Sequence, residues 1–207
     1  MKRLLLASHG ISALPQLLGR VTDLRVAFVP TPAGPDAEQQ PWVQADRRQL
    51  ALLGLQVSTL ELATVEPEEV AARLSEVDIV HVTGGSAYLV LWHARRTGFA
   101  TLVPRLVESG SLVYLGDSAG AMLAGPDIEP AANPAGRGDA PVMDSTEALG
   151  LVPFSVLPHD EDPERHARNE AIIDRYGAAG FVRLRDDQAV LVRGETWEVV
   201  ASPLVGG

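Results

Sequence analysis

The chain has 207 residues, 46% of them hydrophobic, which suits one domain with a two-sided core, and we predict a single domain over residues 1–207. The formal net charge of −10 argues against nucleic-acid binding, because no cluster of lysine and arginine is present to neutralise phosphates. The absence of cysteine excludes disulfides, a thiolate nucleophile and a cysteine-ligated metal.

The first ten residues combine two charged residues with an apolar run too short for the hydrophobic region of a signal peptide. We therefore predict a buried first strand over residues 4–8. No stretch approaches the roughly 20 apolar residues of a membrane span. We expect a cytoplasmic protein with no membrane partner.

Predicted strands and helices alternate along the chain, a pattern typical of an α/β fold with a mostly parallel central sheet flanked by helices on both faces. The prolines of residues 30–35 exclude a helix or a central strand there. Residues 125–138, rich in Pro, Gly and Ala, are predicted as a surface loop. Strands are predicted at 4–8, 24–29, 55–60, 78–82, 112–115, 149–159, 181–184 and 189–192, and helices at 13–18, 37–53, 67–74 and 165–173.

The segment 111–125 reads as a strand, a tight turn and a helix of small residues, and its turn matches G-x-S-x-G. In this pattern the bend exposes the hydroxyl of the central residue, here Ser118, next to a helix N-terminus that favours a developing negative charge. Ser118 is the candidate nucleophile of an acyl transfer. The alternative is an ordinary strand–helix turn.

Gly84 and Gly85 directly follow the strand predicted at 78–82. Ligands of open parallel sheets bind at this carboxyl edge, and glycines let backbone N–H groups approach them closely. We predict an oxyanion hole with donors from Gly85 and Ala119. A plain turn and a phosphate-binding loop are the alternatives, although the lysine or full glycine motif of a phosphate loop is missing.

His159 is the favoured general base among five histidines, because it ends a predicted strand and precedes a polar segment. His9 also ends a predicted strand at the same expected edge and competes for the role. His81 is expected to pack within a strand, whereas His93 and His166 fall in helical stretches.

These residues carry a family resemblance that covers most of the chain. The sequence is similar to peptidase E, the α-aspartyl dipeptidase family, which also resembles cyanophycinase and shares its sheet architecture with class I glutamine amidotransferases. The quoted residues are the first strand, Gly84-Gly85, the turn 116–120, the segment 140–144, the run 149–159 that ends in Pro158-His159, and residues 184–186.

The resemblance implies a serine peptidase with Ser118 as nucleophile, His159 as base and a carboxylate that orients the base. The family typically has a glutamate in a Leu-Pro-Glu-Gly context, where this chain has Leu184-Arg185-Asp186-Asp187. Asp186 is the matching residue. Because aspartate is one methylene shorter, Asp187 and Asp160 stay in contention.

The resemblance also implies Arg168 as the residue that binds the aspartyl carboxylate of the substrate, and Asp139 as a residue near the site that could bind the free amine. Four acidic residues between 160 and 164 weaken the expected preference for an acidic substrate. The expected activity is hydrolysis of Asp-X dipeptides without metal or cofactor. The expected partner is a short peptide substrate, and a homodimer is an open option.

Two alternatives remain at this stage. One is a related hydrolase with another specificity, such as a cyanophycinase-like peptidase or an esterase. The other is a non-catalytic binding module with a degenerate triad.

Overall fold

The computed structural model describes residues 1–132, 137 and 140–206. Within these residues nine strands form a large and a small sheet, and helices cover both faces of the large one. The strands are β1 (Arg3–Ala7), β2 (Arg25–Val29), β3 (Gln56–Thr59), β4 (Ile79–Val82), β5 (Val113–Asp117), β6 (Ser155–Leu157), β7 (Phe181–Arg183), β8 (Gln188–Arg193) and β9 (Thr196–Ala201). The α-helices are α1 (Leu14–Leu18), α2 (Pro41–Leu52), α3 (Pro67–Ser75), α4 (Ala87–Arg96), α5 (Phe99–Ser109), α6 (Ala119–Leu123) and α7 (Pro163–Tyr176).

The large sheet has the strand order β3-β2-β4-β5-β1-β8-β9. The first five strands in this order run parallel, whereas β8 pairs antiparallel with β1 and β9 pairs antiparallel with β8. The predicted mostly parallel sheet is confirmed. The carboxyl ends of β1, β4 and β5 meet at one edge, where Ala7 pairs with Asp117 and Val82 pairs with Gly116.

Both faces of the large sheet are buried. Alternate residues of one strand belong to different clusters, since Leu4 and Leu6 pack on one side and Leu5 on the other. Residues of α3, α4, α5 and α6 cover the first side, and residues of α1 and α2 cover the second. This packing explains why the strands are apolar without a strict alternation.

The helix predicted at 37–53 starts later than expected, at Pro41. Proline favours the first helical position and keeps the preceding residue extended, and Gln40 indeed has ψ of 129°. Two short 3₁₀ turns precede the helix, at Thr31–Ala33 and Ala37–Gln39. The first lies in the proline-rich segment for which a helix was excluded, and that prediction was wrong for this single 3₁₀ turn, in which Pro32 takes an early helical position.

The strand predicted at 149–159 was wrong over most of its length, since β6 covers only three residues. Pro153 and Pro158 bracket β6, and neither has an N–H to donate to a ladder. β6 pairs with β7 in a separate parallel sheet and does not join the large one. The chain thus crosses from the small sheet to the large sheet between β7 and β8. In the part of the chain that the structure describes, no helix is both long and apolar enough to cross a membrane.

Candidate active site

Ser118 lies in a strained bend between β5 and α6. Its φ of 48° and ψ of −102° are unusual for a residue with a side chain. Its N–H donates to the carbonyl oxygen of Ala7 at 3.0 Å, which ties the bend to β1. A Cβ on Gly120 would lie 2.1 Å from the carbonyl oxygen of Val82, and one on Gly116 would lie 2.5 Å from that of Gly120. The motif glycines are therefore required by close backbone contacts.

Ser118, His159 and Asp186 form a continuous chain of hydrogen bonds. Ser118 Oγ lies 2.8 Å from His159 Nε2, and His159 Nδ1 lies 2.5 Å from Asp186 Oδ1. His159 also has a positive φ, 59°. The side chains of His159 and Asp186 are 22% and 42% exposed. The hydrogen bond from His159 is the main cause that holds the pKa of Asp186 below its usual value, against partial burial.

The two other candidate carboxylates are engaged elsewhere. Asp160 accepts hydrogen bonds from Arg183 and Asn169, and Asp187 pairs with Arg185. Asp186 lies where the chain passes from β7 to β8. The crossing between the two sheets brings this short side chain within reach of the imidazole.

Gly84 lies directly against Ser118, whereas Gly85 packs against the backbone of Pro32. A Cβ on Gly84 would be 3.3 Å from the Cβ of Ser118, and one on Gly85 would be 2.2 Å from the carbonyl oxygen of Pro32, at a φ of 137°. The indole N–H of Trp42 donates to the carbonyl oxygen of Gly84 at 3.2 Å. Because the peptide is planar and trans, this bond turns the Gly85 N–H away from Trp42.

Ala119, the second residue predicted to donate to an oxyanion, directly follows Ser118 in the chain. It is the first residue of α6, where no preceding helical turn offers a carbonyl to its N–H. It is 1% exposed. Gly85 lines the cavity described below, and its role and that of Ala119 as donors stay predictions.

A cavity of about 350 Å³ opens beside Ser118. Arg165 lines this cavity, whereas Arg168 does not. Arg165 lies in the first turn of α7, and Arg168 lies almost one turn further along. The guanidinium of Arg168 is half-buried, and its Nε and Nη2 have no hydrogen-bond partner among the described residues. Asp139 lies outside the described residues. The lining comprises His9, Trp42, Gly84, Gly85, Ser86, Ala87, Tyr88, Asp117, Ser118, Met122, Ala132, His159 and Arg165.

His9 lines the same cavity but is not the hydrogen-bond partner of Ser118. Burial lowers the pKa of His9 and the neighbouring His159 lowers it further, although Asp186 acts in the opposite direction. His9 is therefore a neutral wall of the cavity at neutral pH. His81 is fully buried in β4, as expected.

Two buried acids lie beneath the cavity. Asp117 and Asp46 are 1% and 0% exposed, and Thr83 donates a hydrogen bond to Asp46. Burial raises the pKa of Asp46 to about 7, although Thr83 opposes the shift. Burial, followed by the charges of Asp46 and Asp186, raises the pKa of Asp117 well above its usual value. Across the described residues, no group of three or more His, Asp or Glu is placed to hold a metal ion.

The structure brings a strained serine, a histidine and an aspartate into one hydrogen-bonded chain, and comparison with known proteins identifies the family. The family model of peptidase family S51 matches residues 6–200. This chain belongs to peptidase family S51. The protein is therefore a peptidase, and the resemblance to peptidase E is confirmed.

Relatives and solved structures agree with membership of family S51. An uncharacterized peptidase of Listeria monocytogenes is 30% identical over 99% of this chain and 100% of its own. Peptidase E of Streptomyces coelicolor is 30% identical over 91% of this chain and 75% of its own. The crystal structure of a candidate peptidase E protein from Listeria monocytogenes superposes with a TM-score of 0.87 at 28% identity, over 97% of this chain and 98% of that one.

Three contributors to the S51 site escaped sequence reasoning. Trp42 reaches Gly84 from α2, and no local pattern marks that contact. Arg165 was given no role from the sequence. Asp46 is a buried carboxyl in an otherwise ordinary helix. Of the three, only Arg165 had a usable signal, its closeness in sequence to His159.

Proposed function

We propose that this S51 peptidase hydrolyses short peptides through an acyl-enzyme on Ser118. The observation that carries the proposal is the hydrogen-bonded chain Ser118–His159–Asp186 at the wall of a cavity. His159 Nε2 takes the proton of Ser118 as Oγ attacks the scissile carbonyl, and then protonates the leaving amine. Water releases the acyl group by the same steps in reverse. The Asp186 carboxylate holds the imidazole and stabilises its charged form.

The tetrahedral intermediate carries a negative charge on the former carbonyl oxygen. The N–H groups of Gly85, which lines the cavity, and of Ala119, which follows Ser118, are the donors proposed for this oxygen. Such donors act most strongly where a closed site excludes water. The bond from Trp42 to Gly84 supports the assignment, because it orients the peptide that carries the Gly85 N–H.

The substrate class we propose is a dipeptide with an N-terminal aspartyl residue. Arg165 is the cation that lines the cavity, and its planar guanidinium suits a bidentate carboxylate contact. A volume of about 350 Å³ is in the range of small-molecule sites. In this proposal Arg165 replaces Arg168 as the carboxylate-binding residue.

A second specificity is favoured by the cavity itself. Trp42, Tyr88 and Met122 offer apolar walls, and Asp117 adds a buried acid. An uncharged or cationic side chain would fit these walls better than an aspartyl group. The chemistry at Ser118 would be the same in either case.

The test compares hydrolysis of Asp-X dipeptides with X-Asp and neutral dipeptides. We expect cleavage of Asp-X that Ser118→Ala abolishes and that Arg165→Ala weakens chiefly through KM, whereas the matched variant Arg168→Ala stays within about twofold of wild type. Loss of Asp preference in Arg168→Ala alone would restore Arg168 to the role. Cleavage of neutral or cationic dipeptides only would favour the second specificity.

A serine-directed covalent probe separates chemistry from specificity. Labelling of wild type but not of Ser118→Ala, without turnover of any dipeptide, would retain the nucleophile and reject the substrate class. Absence of both labelling and turnover would reject catalysis and leave a binding module.

A further inference from the structure

Ser8 is a buried residue next to the triad that the mechanism above does not use. It follows the last residue of β1 and is 0% exposed. Its own N–H donates to the carbonyl oxygen of Gln188 at 3.1 Å, which continues the pairing of β1 with β8. The backbone of Ser8 is thereby fixed to the segment that carries Asp186, two residues before Gln188.

The Ser8 hydroxyl makes two hydrogen bonds, and both go to triad residues. Ser8 Oγ accepts the backbone N–H of His159 at 2.8 Å. The same hydroxyl donates its hydrogen to Asp186 Oδ1 at 3.1 Å. Asp186 Oδ1 is also the atom that accepts from His159 Nδ1 at 2.5 Å. The base and the acid are therefore connected twice, once directly and once through Ser8.

These two hydrogen bonds hold a strained backbone and a partly exposed carboxylate, both of which cost free energy to fix in place. His159 has a φ of 59°, a conformation that a residue with a side chain adopts only when its surroundings hold it. Ser8 holds the N–H on that strained backbone. The carboxylate of Asp186, 42% exposed, has one oxygen fixed by two donors instead of one.

We propose that Ser8 is a positioning residue that holds His159 and Asp186 in register, and that it lets a short aspartate act where a longer acid would reach the base unaided. The proposal rests on the proposed function, because it assigns Ser8 a role in the reaction at Ser118. The Ser8 hydroxyl bonds to His159 and Asp186, and Ser8 is not part of the cavity lining; it acts through the two residues it connects.

The first test is Ser8→Ala, with Ser202→Ala as the matched control. Ser202 is also 0% exposed, donates one hydrogen bond, to the carbonyl of Gly10, and accepts one, from the N–H of Ala13. We expect Ser8→Ala to lower kcat on the order of 10- to 100-fold with KM unchanged within about twofold, since a displacement of about 1 Å costs up to about 100-fold. Ser202→Ala should keep kcat within about twofold.

A double-mutant cycle with Asp186→Ala distinguishes positioning from a general effect on the fold. Once the carboxylate is gone, Ser8 has only the N–H of His159 to hold, so Ser8→Ala should lower kcat by a clearly smaller factor in that background than in wild type. An equal effect in both backgrounds would overturn the proposal. Equal losses in Ser8→Ala and Ser202→Ala would overturn it as well.

Two further measurements keep the proposal testable if Ser8→Ala folds poorly or the substrate assignment fails. Ser8→Cys keeps the shape of the side chain with a somewhat larger atom that is only a weak donor and acceptor, so its kcat should match that of Ser8→Ala. The proton NMR signal of His159 Nδ1–H needs no substrate: it should be sharp in wild type and Ser202→Ala and lost in Ser8→Cys. Its persistence in Ser8→Cys would overturn the role of Ser8 whether or not the enzyme cleaves Asp-X.

Discussion

Replacing Asp186 by asparagine tests how the triad holds its base. In many serine triads this change is severe because the amide can turn its NH₂ towards the imidazole and force the wrong tautomer. Here Asp186 Oδ1 accepts from both His159 Nδ1 and the Ser8 hydroxyl. An asparagine that keeps its oxygen at this position satisfies both donors, while its NH₂ takes the place of the other carboxylate oxygen. The variant should therefore keep the tautomer and lose only the charge.

The size of the loss follows from the charge alone. Two unit charges about 4 Å apart interact by about 4 kcal/mol at an effective dielectric constant of 20. Because Asp186 is 42% exposed, screening reduces this value to about 2–4 kcal/mol. At 1.36 kcal/mol per factor of ten, kcat should fall by about 30- to 1000-fold. Asp186→Ala also loses the orientation of the imidazole, so its kcat should fall by about 10⁴-fold.

The assay is kcat for the best dipeptide substrate, or the rate of covalent labelling of Ser118, measured for wild type, Asp186→Asn and Asp186→Ala. A clear gap between the two variants is expected. In a Ser8→Ala background the amide is free to turn, and Asp186→Asn should then fall to the level of Asp186→Ala. Equal losses in the two variants with Ser8 intact would refute the reasoning that two donors fix the oxygen.

Three further predictions concern the elements around the triad. Trp42→Phe removes the hydrogen bond to the Gly84 carbonyl. One hydrogen bond contributes about 0.5–1.5 kcal/mol, so kcat should fall about 2- to 13-fold at unchanged KM. An unchanged kcat would argue against this role of Trp42. Gly120→Ala should destabilise the fold by about 1–3 kcal/mol in urea unfolding, because its Cβ meets the Val82 carbonyl at 2.1 Å; a stability equal to wild type would contradict this contact. Since the pKa of Asp46 is raised to about 7 in the folded state, the folded state binds the proton more tightly than the unfolded state above about pH 4, and stability falls as the pH rises towards 7. Asp46→Asn should thus gain stability relative to wild type between pH 4 and 7, by at most about 4 kcal/mol, whereas the exposed control Asp174→Asn should show no such trend.

Sequence reasoning succeeded where short-range constraints decide the structure. The turn around Ser118 is such a case, because Gly116 and Gly120 are demanded by contacts within a few residues and one neighbouring strand. The parallel order of most strands followed from the regular alternation of apolar segments with helices. His159 was chosen as the candidate base because it follows an apolar segment, although that segment is not part of the large sheet.

Local sequence patterns did not predict the contacts between residues far apart in the chain. β6 pairs with β7 and thereby brings His159 close to Asp186. Each of these strands has only three residues and no distinctive periodicity, so the sequence does not predict their pairing. The choice between Arg165 and Arg168 depends on where α7 starts, which Pro163 sets. Ser8 is next to His9, at the sheet edge where the sequence predicts the site. A serine at the end of a strand has many ordinary roles, so its type and position alone do not predict that it bonds to His159 and Asp186.

The antiparallel pairing of β8 with β1 affects the order in which the parts of the site come together during synthesis. The segment that contains Ser118 and α6 is synthesised by residue 123, whereas His159 and Asp186 follow later. Ser8 lies near the start of the chain, and the pairing of β1 with β8 brings Asp186 next to it. During synthesis on the ribosome Ser118 is therefore present well before its hydrogen-bond partners. The hydrogen-bonded chain Ser118–His159–Asp186 can be complete only after the ribosome has passed residue 186.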